Sequence, residues 1–219
     1  SGHVNLAGLV DVSAASGQAG QVDITTQGVA FLSGDIIASG SAAGGSVEVT
    51  ARNLLSGGLI DASARAGRGG SITLEASGQF VATAGSYLVA DGGQGGAVAL
   101  HGAASLHSSG RVSAQGSQGE GGDIRLTGET IRLFAAELDA SGERGGGTVS
   151  VGFEGDRASP DIIAREIEIN PFTLIRADAA AQGDGGVIGI WSSDDTRAFG
   201  TLTARGGASG GDGGFIEVS

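Results

Sequence analysis

Gly45-Ser46-Val47-Glu48-Val49-Thr50-Ala51, then Arg52-Asn53-Leu54-Leu55-Ser56-Gly57-Gly58, then Leu59-Ile60-Asp61-Ala62-Ser63 and a glycine-rich return to Gly70 make up one unit of this chain. In the first and third pieces apolar and polar residues alternate, the period-two pattern of strands buried on one face. Val47 and Val49 point inward and Glu48 outward; Ile60 and Ala62 point inward and Asp61 outward. The unit predicts three short strands and a tight return, where glycine tolerates the corner because it carries no side chain. The same anchor, a glycine followed by two apolar residues with one residue between them, recurs at Gly2, Gly20, Gly45, Gly70, Gly96, Gly122, Gly147, Gly186 and Gly214. The intervals are 18, 25, 25, 26, 26, 25, 39 and 28 residues. A near-constant period of this length marks a solenoid, whose units bury their apolar faces only by stacking on one another.

The fold class expected is therefore all-β, a right-handed parallel β-helix with three short strands per coil of about 25 residues and about eight coils, forming one domain over residues 1–219. At roughly 4.8 Å per coil, eight intervals make a rod about 40 Å long. The 18-residue interval predicts a shortened first coil. The 39-residue interval holds both prolines, Pro160 and Pro171, and predicts an excursion at about 152–173, with Arg165 to Asn170 as an added strand.

Glycine makes up 44 of 219 residues, which alone would suggest a flexible tract, but a 40% hydrophobic fraction placed in strict alternation argues for a packed core. The chain has no Cys, no Met and no Lys, and its net charge is −12. Disulfides and thiolate chemistry are excluded, and so is nucleic acid as a partner, because affinity for a phosphate backbone comes from clustered cations. No apolar run reaches the 18 or more residues that would span a bilayer. Beginning at Ser1 without Met and ending in a strand, the chain reads as a piece excised from a longer protein, with targeting signals outside it.

Candidate chemistry is sparse. One column is expected two residues before each anchor: Gln18, Ala43, Arg68, Gln94, Glu120, Gly145, Asp184 and Asp212. Asp184 and Asp212 would then sit one strand spacing apart as a candidate metal pair. Either a calcium ion bridges them with help from Asp194 or Asp195, or they are solvated turn carboxylates bonded to local amides. No other cofactor is indicated. Trp191, Asp194 and Asp195 are the candidate ligand-binding residues: the alternation that points Ile190 inward sends Trp191 outward, toward a glycan or beneath the 152–173 excursion. Phe199 and Phe215 are further aromatic candidates, while Phe31, Phe80 and Phe134 read as core or stacked aromatics. His3, His101 and His107 are too scattered to form a metal site. Asp61 with Asp139, or Asp194 with Asp195, is the closest approach to the paired acids of a glycosidase. Neither has the setting such chemistry needs, and the chain reads as non-enzymatic.

The stretch Ala177-Asp-Ala-Ala-Ala-Gln-Gly-Asp-Gly-Gly-Val-Ile-Gly-Ile-Trp-Ser-Ser-Asp-Asp-Thr, with Ala204-Arg-Gly-Gly and the closing Gly-Gly-Phe-Ile-Glu-Val-Ser, resembles the filamentous-haemagglutinin-like large exoproteins of Gram-negative bacteria, adhesins secreted by the two-partner route. The earlier coils fit the same family by repeat type. The resemblance implies a β-helical shaft of a secreted or cell-surface adhesin. It further implies export through a dedicated outer-membrane barrel, engaged by a region outside this chain, and attachment to a host-surface receptor or to biofilm carbohydrate. The alternative from a different class is a carbohydrate-active β-helix enzyme, a polysaccharide lyase or hydrolase, which a cleft lined by three or more acids would favour.

Overall fold

The computed structural model describes residues 2–155 and 161–219. Their strands form three eight-stranded sheets, parallel throughout, and a small antiparallel hairpin; no helix occurs among the described residues. One strand from each sheet makes one coil, as in Ser46–Ala51, Asn53–Ser56 and Leu59–Asp61. The first sheet runs from Gln21–Thr25 to Phe215–Val218, the second from Val4–Leu6 to Asp195–Ala198, and the third from Leu9–Asp11 to Thr201–Thr203. This is the parallel solenoid of about eight coils that the repeat predicts.

Coil on coil, like residues stack. Val47, Ile72, Val98, Ile124 and Val149 pair in register in the first sheet. Leu54, Phe80, Leu106, Ile131 and Ile167 do so in the second. Ile60, Leu88, Val112, Leu138 and Ile175 complete the triangle in the third. All of these are at most 2% exposed, and they merge into one continuous core. A fully buried side chain of this size contributes about 1.5–3 kcal/mol relative to an exposed one, so stability accumulates coil by coil.

After six of the eight third strands an alanine turns inward: Ala38, Ala62, Ala90, Ala114, Ala140 and Ala177 are all fully buried. The chain is pinched there. The amides of Gly45, Gly70, Gly96, Gly122, Gly147 and Gly186 each donate to the carbonyl of the alanine in the same coil at 2.7–2.8 Å.

Three expectations need correction. The Gly2 anchor does not open a shortened coil: Val4–Leu6 pairs with Val29–Leu32 and is a second-sheet strand, so the chain enters the stack part-way round. Eight strands per sheet leave seven intervals, a rod of about 34 Å. The 152–173 excursion is smaller than its length suggests. Phe153–Glu154 and Asp161–Ile162 pair antiparallel outside the stack, but Glu166–Ile169 is an ordinary second-sheet strand between Thr130–Leu133 and Asp195–Ala198. Pro171 occupies the turn after that strand, where no ladder bond is asked of it; Pro160 lies outside the described residues. Finally, Phe80 is core but Phe31 and Phe134 are each 41% exposed. In Val29–Leu32 the inward places go to Ala30 and Leu32, and Phe134 lies one residue past Thr130–Leu133.

Candidate binding surface

Beyond each pinch the glycine-rich segment leaves the triangular section and comes back, and the successive segments stack into a thin fin along the rod. Its outgoing legs pair from coil to coil, Ala14 with Gly40 and Gly40 with Ala64, then Gly92 with Gly116, Gly116 with Gly142 and Gly142 with Ala179. Its returning legs pair Gln18 with Ala43, Arg68 with Gln94 and Glu120 with Gly145, which is the column expected from the sequence. The tip is bonded as well, with Arg65 N donating to Gly40 O at 3.0 Å and Glu143 N to Gly116 O at 2.8 Å. At Gly40, Gly92, Gly116 and Gly142 the two legs lie back to back with no room for a side chain. A Cβ at Gly116 would stand 2.0 Å from the Glu120 carbonyl oxygen. Glycine here fixes a backbone rather than loosening one.

The fin walls off a trough against the third face. Two open cavities of about 440 and 320 Å³ share Ala64 and line up along the rod. Their inner wall is the polar residue that follows each buried alanine: Ser39, Ser63, Asp91, Gln115 and Ser141 among them. A third cavity of about 510 Å³ lies against the fin's tip and returning legs, beside Arg68, Gln94, Gln118, Glu120 and Arg144. The sequence signal for the trough was available in the repeated pair of small apolar and polar residue, as in Ala38-Ser39, Ala62-Ser63, Ala90-Asp91 and Ala140-Ser141. What the alternation could not convey was the fin that makes a wall.

A polar network braces the third face. Ser113 Oγ and Gln115 N donate to one oxygen of Asp91 at 2.6 and 2.7 Å. Gln115 Nε2 donates to Asp139 at 2.7 Å, and Arg176 Nε donates to the same carboxylate at 2.9 Å. Arg176 also pairs with Glu137, which Arg111 meets at 2.5 Å. Asp139, nominated above as half of an acid pair with Asp61, is thus a buried anchor for arginine. Burial pushes the Asp91 carboxyl above the usual carboxylate range; bonds from Ser113 and Gln115 pull it down, while Asp139 and Asp61 add repulsion. A carboxyl raised on folding costs stability while it is ionised, and the cost is relieved as pH falls through its folded value. Asp91→Asn keeps the accepting oxygen and removes the charge. It should melt above the parent at pH 7, with the advantage shrinking as pH drops toward 4. A lower melting temperature at pH 7 would contradict this account.

At the C-terminal end the hairpin covers the candidate tryptophan. Trp191 does project from the outer side of its strand, yet it is only 7% exposed, stacked on Phe153 with ring centroids 4.6 Å apart and planes 22° apart. Phe153 lies flat over Gly189, where a Cβ would stand 2.8 Å from the ring. Of the two places open to Trp191, it occupies the one beneath the excursion, and its Nε1 is buried without a partner. Asp194 accepts from Arg165 Nε and Nη2 at 3.0 and 2.8 Å, and Asp195 accepts from Arg197 Nε at 2.8 Å. Arg165 is held above its ordinary value by Asp194 first and by Glu129 second. The three candidate ligand residues therefore sit close in sequence, one under a ring and two already holding guanidinium groups. Because Trp191 is the sole tryptophan, its emission reports on this packing. Gly189→Val should displace Phe153, at a cost of about 1–3 kcal/mol, and shift the emission to the red. Emission unchanged in that variant and in Phe153→Ala would refute the stacking.

Asp184 and Asp212 do fall in adjacent coils, as the repeat requires: Gly185 N donates to Asp212 O at 2.9 Å. The Asp184 carboxylate accepts from the Asp212 amide at 2.7 Å. That bond runs to the backbone of the next coil rather than within one turn, and no cluster of three or more His, Cys, Asp or Glu suited to a metal occurs among the described residues. His3 accepts from Val29 N at 3.2 Å, His101 faces Thr127 at 2.8 Å on the first sheet, and His107 lies in the second sheet. Phe134, Phe172 and Phe199 occupy the corner between the second and third strands of three successive coils and are 41, 80 and 62% exposed. Phe215 is 41% exposed on the last strand.

No protein-family model matches this chain, and no curated protein matches it. Among solved structures it is similar to the HMW1 secretion domain from Haemophilus influenzae, with 20% identity over 88% of this chain and a TM-score of 0.52. The chain covers 61% of that structure's length. At this identity the likeness is one of fold, and it agrees with what the ladders display: coils of parallel strands wound on a single core.

Proposed function

We propose that this chain is a non-enzymatic rod segment of a large secreted bacterial adhesin, which holds binding regions away from the cell and contributes to attachment to host cells or biofilm polysaccharide. The observation that carries the reading is the continuous ladder: eight strands per sheet, with the fin bonded from coil to coil and each coil closed by its own pinch, make a stiff spacer. The resemblance of residues 177–219 to the haemagglutinin-like exoproteins supports it, as does the fold shared with a protein that is by name a secretion domain. Net charge of −12 suits a solvated extracellular surface. Export would run through an outer-membrane barrel that recognises a region outside these residues. The neighbour's name supports a second reading, in which this chain itself engages the exporter; transport of the isolated chain by such a barrel would select it.

The adhesive role is tested by displaying the chain on a non-adherent Gram-negative strain and counting cells retained on epithelial monolayers and on biofilm matrix. Retention well above that of the display scaffold alone is expected. Retention equal to the scaffold's overturns the reading.

A further inference from the structure

We infer that the trough between the fin and the third face binds a linear polysaccharide without acidic groups, lying lengthwise along the rod. The inference deepens the adhesive reading and rests on it for the ligand's biological setting, but its argument is geometric. The two cavities that meet at Ala64 reach from the coil of Ser13 to that of Ala180, seven coils separated by six strand spacings, or about 29 Å. A ligand that fits must be long, narrow and repetitive.

The wall chemistry narrows it further. An extended peptide would need a free strand edge to pair with, and among the described residues the trough offers none. Along the trough the amides are already spent between coils: Ala38 N on Asp61 O at 2.7 Å, Gly40 N on Ser63 O at 2.9 Å, Ala64 N on Asp91 O at 2.7 Å and Gly116 N on Ser141 O at 3.0 Å. Recognition must come from side chains, and those present are hydroxyls, an amide, two carboxylates and one guanidinium: Ser39, Ser63, Gln115, Asp91, Glu143 and Arg65 among them. They recur once per coil, so a polymer of hydroxyl-rich rings meets a similar set of partners at each step. Between them the fin presents glycine and alanine, flat enough for a ring to approach. Asp91 and Glu143 outnumber the single Arg65, and with the net charge of −12 they disfavour a polyanion and admit neutral or amino sugars.

The purified chain should be tested against immobilised neutral β-glucans, an amino-sugar polymer, a polyuronate and an unstructured peptide. Ser39→Tyr/Ser63→Tyr fills the trough from two half-buried positions without entering the core. Binding to a neutral or amino-sugar polymer is expected, at least about tenfold weaker in that double variant, equivalent to about 1.4 kcal/mol. Phe172→Ala, on another corner, should bind like the parent, and Trp191 emission should be unchanged in both variants. No binding to either non-acidic class, preference for the polyuronate or the peptide, or full binding by the filled variant overturns the inference. A displayed chain that retains cells while the purified chain binds no polysaccharide leaves the adhesive reading standing and removes the trough from it. The reverse pair of results removes the adhesive reading alone.

Discussion

Ile124→Asp is expected to destroy the central coils. Ile124 is 1% exposed, paired with Val98 on one side and Val149 on the other, and its column is the first sheet's contribution to the core. Losing the isoleucine alone costs about 2–5 kcal/mol, as in other large-to-small core changes. Adding a carboxylate with no partner raises the total beyond about 5 kcal/mol at neutral pH, because the group must be protonated or hydrated to stay there. A carboxyl buried in this way has its pKa raised, so the penalty eases as pH falls. In a stack of nearest-neighbour coils the damage should be regional. Hydrogen exchange should lose protection in Asp123–Thr127 and then in Ala97–Gly102 and Thr148–Val151, ahead of the N-terminal coils. Ile216→Asp makes the same chemical change in the same column, but Ile216 is 40% exposed on the last strand. It should cost less than about 1 kcal/mol. Equal effects of the two substitutions, by melting and by exchange, would mean that the column does not face a common core.

That column was legible because period-two alternation survives any change in loop length. The inward pairs of the first and third strands follow directly from it, from Val47/Val49 to Ile188/Ile190, while Ile216 and Val218 in Phe215–Val218 are 40 and 45% exposed. The second strand was less legible. Its inward residues include Ala30, Ala82 and Ser56, and the large residue at Phe31 faces out, so hydrophobicity alone misassigns the faces. The insertion misled differently. Both prolines and 14 extra residues fall in one interval, which made Glu166–Ile169 look displaced. The stack instead resumes at once, because Ile167 and Ile169 fit the columns of Ile131 and Leu133. Trp191 shows the limit of alternation most clearly. Its outward direction was readable, but the ring that covers it comes from Phe153, 38 positions earlier, through a hairpin with no repeat to announce it. The trough needed a further step: a glycine-rich return reads as a corner until its legs are seen to pair across coils.

Gly121→Ala, a single added methyl, is expected to be nearly as damaging as a charge in the core. The new Cβ would stand 1.8 Å from the carbonyl oxygen of Ala140 and 2.8 Å from Gly147 N, and both atoms belong to backbone that cannot rotate away. The Ala140 oxygen is held in place because it accepts from Gly147 N at 2.8 Å, the pinch of the following coil. Relief requires two coils to part, which breaks the fin ladder at Gly121 N to Gly145 O and opens the core beside Ala114 and Ala140. Overpacking on fixed backbone costs about 3 kcal/mol or more, roughly 6–12 °C in melting temperature for a chain of this size. Gly8→Ala provides the contrast, since a Cβ there meets nothing within 4 Å. That change removes conformational freedom from the unfolded chain and should leave the melting temperature unchanged or raise it, by up to about 1 kcal/mol in stability. The pair separates two roles for glycine in a chain that has 44 of them. If the glycines act as flexible spacers, both alanines should stabilise. If they form the close-packed seam between coils, Gly8 should gain and Gly121 should fail, and differential scanning calorimetry of the two variants decides between these outcomes.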